Sequence, residues 1–314
     1  MLSAVELGVF TELAKGPLDS ETLKTRLNLH RRSALDFFDA LVSLGMLKRE
    51  KGLYRNTAET NLFLDRRKAS YIGGWPEMFN ERLYGFWGSL TEGLRTGRPQ
   101  NEIKGGQDLF SALYGDQKKL AIFLHAMTGL SIGSGKAIAR KFAWNEFETF
   151  YDIGAAEGGV PVQVALQNKH LNGGGFDLPA VKPIFEKYVR SFRLENRLRF
   201  ISGNFMTDPL PKADVLIMGH ILHDWNADEK MQLLKKAYNA LPKGGALIVY
   251  ELIIDDERRM NTPGLLMSLN MLIETQGGFD YTGKECMRWM REVGFKKAEV
   301  THLQGPESMV VGTK

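Results

Sequence analysis

The sequence holds a single cysteine, Cys286, which rules out an internal disulfide and fits a reducing, cytoplasmic setting. It has no apolar run approaching the ~18 residues of a membrane span, and no signal peptide is visible. No membrane partner is expected. Neither sign of charge is in large excess. Basic residues number 41 and acidic residues 37, and a formal net charge of +4 does not by itself imply a nucleic-acid or membrane partner. Internal repeats and low-complexity segments are also missing. What is present is ordinary for a globular chain. Apolar residues make up 43% and charged residues 25% of 314, enough for one large or two medium domains. The chain opens within an amphipathic pattern, "LSAVELGVFTELAK", which leaves open a short or a missing N-terminal piece.

Up to about residue 100 the pattern is helical, with one hairpin. Leu2 to Lys15 repeats apolar residues at helical spacing and stops at Gly16-Pro17. Asp19 or Ser20 can cap a short helix through Leu27. In "RRSALDFFDALVSLG" the residues Leu35, Phe38, Leu41 and Val42 share a helix face, and Gly45 suits the C-terminal cap. "MLKREKGLYRNT" reads as two short strands around Lys51-Gly52. Three helices and a hairpin make a winged helix-turn-helix. "YIGGWPEMFNERLYGFWGSLTEGL" is further helix with many aromatics, and the loop-like "RTGRPQNEIKGGQD" marks the domain boundary. This gives residues 1–100 as a winged-helix-like domain and 101–314 as a second domain.

After residue 145 strand-like runs alternate with helical ones: "FETFYDIG", "GGGFDL", "RLRFISGNF", "ADVLIMGHI" and "GALIVYELI". Such alternation predicts an α/β, Rossmann-like fold with a parallel sheet between helices. "KAEVTHL" and "SMVVGTK" predict an antiparallel C-terminal hairpin at one sheet edge.

Ligands of doubly wound sheets sit beyond the strand C-termini, against the first glycine turn. Here that turn is "FYDIGAAEGG", with Asp152 just before Gly154 and Glu157 before Gly158. It offers acids and no cation, which suits a ligand with a ribose and a positive charge but no phosphate. Asp177 ends the next strand, 25 residues after Asp152, where a carboxylate can accept both ribose hydroxyls. S-adenosyl-L-methionine has the required ribose, sulfonium and amino group. The plain alternative is a tight turn of small residues.

The blocks "YDIGAAEGG", "GGGFDLPAV", "GNF", "HILHDW", "ALPKGGALIVYE" and "LNMLIETQGGFDYT" occur in an order that resembles the small-molecule S-adenosylmethionine-dependent O-methyltransferases. These are the enzymes of the plant-phenolic, acetylserotonin and bacterial-polyketide type. The resemblance covers nearly the whole chain, since that family carries an N-terminal winged-helix dimerisation domain. It implies a homodimer through that domain and cofactor binding by Asp152, Gly154 and Gly158. It also implies Asp177 and Leu178 at the ribose, and Gly203, Asn204 and Phe205 near the adenine. Ala155 and Ala156 stand where the family usually has glycine, which makes positive φ less comfortable there. Asn204-Phe205 replaces the frequent Asp-Met.

Methyl transfer to a hydroxyl needs an aligned acceptor and a base, because a phenol titrates near ~10 and an alcohol higher. Histidine, near ~6.5, is the natural candidate. His220 and His223 follow the fourth strand in "GHILHDWNADE". The resemblance implies that His223 is the general base, with Glu251 and Asp280 orienting it and supporting its charge. Asp280 stands where Glu is common. His220 could face the same cavity or the sheet. Asp224 and Trp225 shape the turn. No third metal ligand accompanies the two histidines at a convincing spacing, so no metal is expected. The helix "MSLNMLIETQ" lines the substrate pocket in the family, which raises Asn270 and Met271 as contacts to a small-molecule acceptor. Met127, with Phe123, Trp75, Phe79 and Trp87, is a further candidate wall. Core packing is the competing reading for each.

Two other readings compete with O-methylation. The same fold could methylate sulfur, nitrogen or carbon. Residues 18–57 could instead serve a DNA-binding regulator, with Lys24, Arg26, His30, Arg31 and Arg32 at phosphates. Against the latter, the helix that would enter the groove carries two Asp and no base-reading side chain, so no nucleic-acid partner is expected.

Overall fold

Gly8, with φ 74°, interrupts the hydrogen-bond ladder of the expected first helix, which forms as two pieces, Leu2–Glu6 and Val9–Leu13. The computed structural model describes residues 1–68, 70–105 and 117–314. Residues 106–108 of the loop-like stretch used to place the domain boundary lie outside the described residues. Contacts divide the chain into Met1–Gly85 and Phe86–Lys314.

In the first unit, Asp19 caps helix Ser20–Arg26 by accepting the Thr22 N–H at 2.9 Å. The third helix runs Ala34–Ser43, and Gly45 beyond its end takes φ 70°. Leu35 does not join the buried face and is 52% exposed. Ala34, Phe38 and Leu41 form that face instead, at the spacing of one helix stripe. Strand β1 (Leu18–Asp19) pairs with the hairpin β2 (Leu47–Glu50) and β3 (Leu53–Asn56) in the order β1-β3-β2. Lys51 and Gly52 both take positive φ, as a tight hairpin turn demands. Phe10, Leu23, Phe38, Leu41, Leu47 and Tyr54 form the core of this unit. The aromatic segment continues it as helix Gly74–Met78 and a π-helical turn, Phe79–Leu83.

The second unit is built on seven strands: β4 (Thr149–Ile153), β5 (Asn172–Asp177), β6 (Leu198–Ser202), β7 (Val215–Gly219), β8 (Ala246–Glu251), β9 (Lys297–Gln304) and β10 (Glu307–Thr313). Their order is β6-β5-β4-β7-β8-β10-β9. The first five run parallel, and β10 lies antiparallel between β8 and β9. All six residues of β8 are buried, so the strand reads as a continuous apolar run. Strand order reverses beside β4, and the crevice at its C-terminal end is where such sheets bind ligands. Helix Gln117–Lys141 covers the glycine turn's helix, Gly159–Gln167. The segment after Phe86 also packs within this unit. Gln100 donates its N–H to Ile273 O at 2.8 Å, and Asn101 donates to Glu274 O at 3.1 Å.

Candidate active site

β4 delivers Asp152 and then Gly154, whose φ is 76°. A Cβ on Gly154 would meet Ile221 at 2.3 Å, so only glycine closes this turn. Ala156 also takes a left-handed φ, 49°, and donates its N–H to Asp177 Oδ2 at 3.0 Å. Leu178 donates its N–H to the other oxygen at 2.7 Å. Gly158, φ 94°, caps helix Gly159–Gln167 and packs on Phe185, outside the cavity lining. Burial pushes the Asp177 carboxyl up to about 6. Burial, with Asp177 close by, also pushes Asp152 well above the usual carboxylate range.

The cavity beyond this turn measures about 530 Å³, within the ~300–1,000 Å³ of small-molecule sites. Asp152, Asp177, Leu178, Asn204, Phe205, His220 and Asp224 are among its lining residues. The buried Asp152 carboxyl, and the lone pairs that Asp177 keeps beyond its two N–H partners, fit a ligand that brings hydroxyls and positive charge. Asn204 Oδ1 accepts the Met206 N–H at 2.9 Å, which leaves that oxygen one further lone pair. Phe205 stands edge-on to Trp225, with centroids 5.9 Å apart. Gly203 supports the turn by donating to Asp177 O at 2.9 Å and does not line the cavity.

His223 lies in the short 3-10 turn Leu222–Asp224 after β7 and is 5% exposed. Its Nδ1 is 3.2 Å from Asp280 Oδ1 and 3.4 Å from Glu251 Oε2. Its Nε2 is 3.5 Å from Asp224 Oδ1. Tyr281 donates its hydroxyl to Glu251 Oε1 at 3.3 Å. Burial alone would push His223 down. Glu251, Asp280 and Asp224 outweigh it, so the imidazole titrates well above 6.5. Burial pushes Asp224 up to about 7; His223 pulls it down, and Glu251, Glu274 and Asp280 oppose that pull. The loop carrying Asp280 comes this close because Gly278 has no side chain. A Cβ there would lie 2.5 Å from the His223 carbonyl oxygen.

The acceptor-side residues divide. Met127 lines the cavity, as do Phe123, Leu124, Thr128 and Ser131 on the same face of helix Gln117–Lys141. Asn270 and Met271 are buried and outside the cavity lining. The Asn270 side chain accepts from Trp87 Nε1 at 3.0 Å and donates to Glu274 Oε2 at 2.5 Å, which makes it a bridge within this unit. His223, Glu251 and Asp280 stand behind the cavity wall formed by His220, Ile221, Asp224 and Tyr250. A third potential metal donor does accompany the two histidines, contrary to the sequence expectation. Donor atoms of His220, His223 and Glu251 lie within 4.8 Å of one another. Sequence spacing hid this because Glu251 arrives from the next strand. Both nitrogens of His220 and Nδ1 of His223 face carboxylates, an ion-pair network that leaves little for a cation.

Sequence reasoning missed Glu307, whose Oε1 is 3.0 Å from His220 Nε2, and Lys230. Lys230 is buried, donates to Trp225 O, and stands 3.5 Å above the Phe279 ring. It ties the His223 turn to the Asp280 loop. Burial lowers Lys230 to about 8, against the pull of Glu251, Asp280, Asp224 and Glu229. A helical-spacing count would have found Thr128 and Ser131 beside Met127. No local signal announces Glu307.

Residues 87–296 match the O-methyltransferase domain, and residues 1–66 match the O-methyltransferase dimerisation domain. The chain is 41% identical over 315 residues to the tetracenomycin polyketide synthesis 8-O-methyl transferase TcmO of Streptomyces glaucescens, covering 100% of this chain and 92% of that protein. To the N,N-dimethyltransferase OxyT of Streptomyces rimosus it is 37% identical over 254 residues, covering 81% of this chain and 74% of that one. Among solved structures, human N-acetylserotonin methyltransferase in complex with SAM matches with a TM-score of 0.90 at 27% identity, covering 100% of this chain and 92% of that chain.

Proposed function

This chain belongs to the S-adenosyl-L-methionine-dependent O-methyltransferase family, and we propose that it methylates a hydroxyl of an aromatic, polyketide-type acceptor with His223 as general base. S-adenosyl-L-methionine is its methyl donor and supplies an electrophilic methyl group on a sulfonium centre. Asp177 accepts the ribose hydroxyls, with Leu178 beside it. Asp152 and the turn at Gly154 take the positively charged amino-acid end, and Asn204 and Phe205 form the adenine side. Met127 contributes to the acceptor wall.

His223 takes the hydroxyl proton at Nε2. Asp280 and Glu251, both at Nδ1, hold the ring's orientation and support the imidazolium that results. The observation that carries this reading is that arrangement: a buried imidazole with two carboxylates on one nitrogen, beside a cavity whose walls suit the cofactor. The acceptor class rests on the similarity to TcmO, whose name places it in polyketide synthesis.

The similarity to OxyT, an N,N-dimethyltransferase, favours an amine acceptor as the second reading. An ammonium must also lose a proton before it attacks, so His223 keeps its role there. Transfer of a labelled methyl group to a panel of polycyclic phenols, amines, thiols and thioethers separates the readings. Turnover of phenols bears out the first, and turnover of amines alone replaces it with the second.

The matched dimerisation domain supports a homodimer. Leu7, Leu35, Leu44, Leu62 and Phe63 are exposed apolar residues of the first unit and would supply its surface. Helix Ala34–Ser43 carries Asp36 and Asp39 and no basic residue, which speaks against a groove-reading role. Among the described residues no helix is long and apolar enough to cross a membrane. A cytoplasmic setting suits the lone, buried Cys286.

A further inference from the structure

One oxygen lies between two imidazoles. Glu251 Oε2 is 3.4 Å from His223 Nδ1 and 3.6 Å from His220 Nδ1, and it has no hydrogen-bond partner among the described residues. The two rings are 5.6 Å apart. On its far side His220 Nε2 meets Glu307 Oε1 at 3.0 Å. Acids and bases therefore alternate along one line: Glu307, His220, Glu251, His223, Asp280.

His220 is held there at some strain. It takes φ 53°, a region unfavourable to residues other than glycine, and donates its N–H to Tyr250 O at 3.2 Å. Its ring packs edge-on to Tyr250 at 5.3 Å. Both ring nitrogens are turned to carboxylates, so His220 lines the cavity without a free donor for a ligand. Burial and the neighbouring His223 imidazolium oppose charge on His220, yet Glu307 and then Glu251 outweigh them and raise its titration.

We propose that His220 is a positioning residue for methyl transfer: clamped by Glu307 as a cation, it shares the Glu251 carboxylate with His223 and so keeps His223 able to release its proton closer to neutral pH. The inference rests on the reading of His223 as the base. Two like charges 5.6 Å apart repel. The charged and titratable groups around the pair are few. Glu307 comes from the start of β10, and Glu251 and Tyr250 from β8. Asp224 shares the His223 turn, Asp280 and Tyr281 come from the loop before helix Gly283–Val293, and Lys230 stands behind them. Only His220 among these lies against the base and can carry positive charge from the cavity side.

The test is the titration of the His223 imidazole, followed by NMR in the full-length protein saturated with S-adenosylhomocysteine. It is compared in wild type, His220→Phe, His220→Gln and His220→Arg, with the pH profile of kcat measured alongside. The neutral variants should raise the His223 midpoint by about one pH unit, because a neighbouring charge is lost. His220→Arg should leave it at or below wild type, a difference in sign that a packing role would not produce. Unchanged midpoints in both neutral variants would overturn the proposal. A midpoint that moves while the kcat profile stays fixed would overturn the base reading and the positioning role with it. A kcat profile that contains the His223 ionisation while its midpoint ignores residue 220 would overturn the positioning role alone.

Discussion

The N–H of Ala156 reaches the Asp177 carboxylate across 3.0 Å, and Ala156 adopts a left-handed backbone, φ 49°, to do so. That conformation costs an alanine about 1–2 kcal/mol relative to glycine. Glycine would give back about 0.4–1 kcal/mol through the looser unfolded chain. Ala156→Gly should therefore raise the unfolding free energy by about 0.5–1 kcal/mol, read from urea titration. A destabilisation of that size would show that the turn is not strained.

Asp177 ends β5 with its two oxygens already taking the N–H groups of Ala156 and Leu178, and it has lone pairs left for two ribose hydroxyls. Each charge-assisted bond is worth about 1.5–3 kcal/mol. Asp177→Ala should weaken S-adenosyl-L-methionine binding at least tenfold in calorimetry, with the fold intact. In the wild type, affinity should fall as pH drops through about 6, where the buried carboxyl takes up its proton. Affinity that ignores both the substitution and the pH would remove Asp177 from the ribose.

Gly278 holds the Asp280 loop against the His223 turn. A methyl group there would sit 2.5 Å from both the His223 carbonyl oxygen and Thr275 Oγ1. Overpacking of this kind costs about 1–3 kcal/mol. Gly278→Ala should lower Tm and slow turnover by displacing Asp280 from Nδ1, while cofactor affinity holds. Wild-type Tm and turnover in this variant would mean that the loop's approach is not needed.

The exposed apolar side chains of the first unit, Leu44 at 66% among them, predict a stable pair of chains. Light scattering at micromolar concentration should give twice the 35.3 kDa of one chain. A monodisperse monomer would contradict the homodimer, and tight, salt-sensitive binding to duplex DNA would revive the regulator reading.

The sheet was legible because β4, β7 and β8 are largely apolar runs bounded by turns, and every one of the seven strands forms within a few residues of its expected segment. Asp152 and Asp177 were legible from the same grammar, as strand-end acids on neighbouring strands. Helix Gln117–Lys141 was not read, since Thr128, Ser131 and several glycines dilute its apolar face. Leu35 misled because helical spacing cannot say which of two adjacent stripes is buried, and Ala34 took the inner one. Asn270 was placed on a plausible face, but its partner Trp87 lies 183 residues away. The His220–Glu307 pair spans 87 residues and the His223–Asp280 pair 57, so no local pattern could reveal either. The second came from the ordered family blocks alone.

If His223 removes the acceptor's proton, the rate of methyl transfer by His223→Ala reports it. Cofactor binding should stay almost unchanged, because His223 stands behind the cofactor cavity's lining. The rate should fall by ~10² to 10⁴, or about 2.7–5.5 kcal/mol in the barrier. In the wild type the rate should rise with pH above 6.5, since Glu251, Asp280 and Asp224 hold the imidazolium against burial. With a phenolic acceptor, raising the pH should partly rescue the alanine variant as phenolate forms without help. An alanine variant with wild-type turnover on its acceptor would contradict the account and leave proximity and alignment as the source of catalysis.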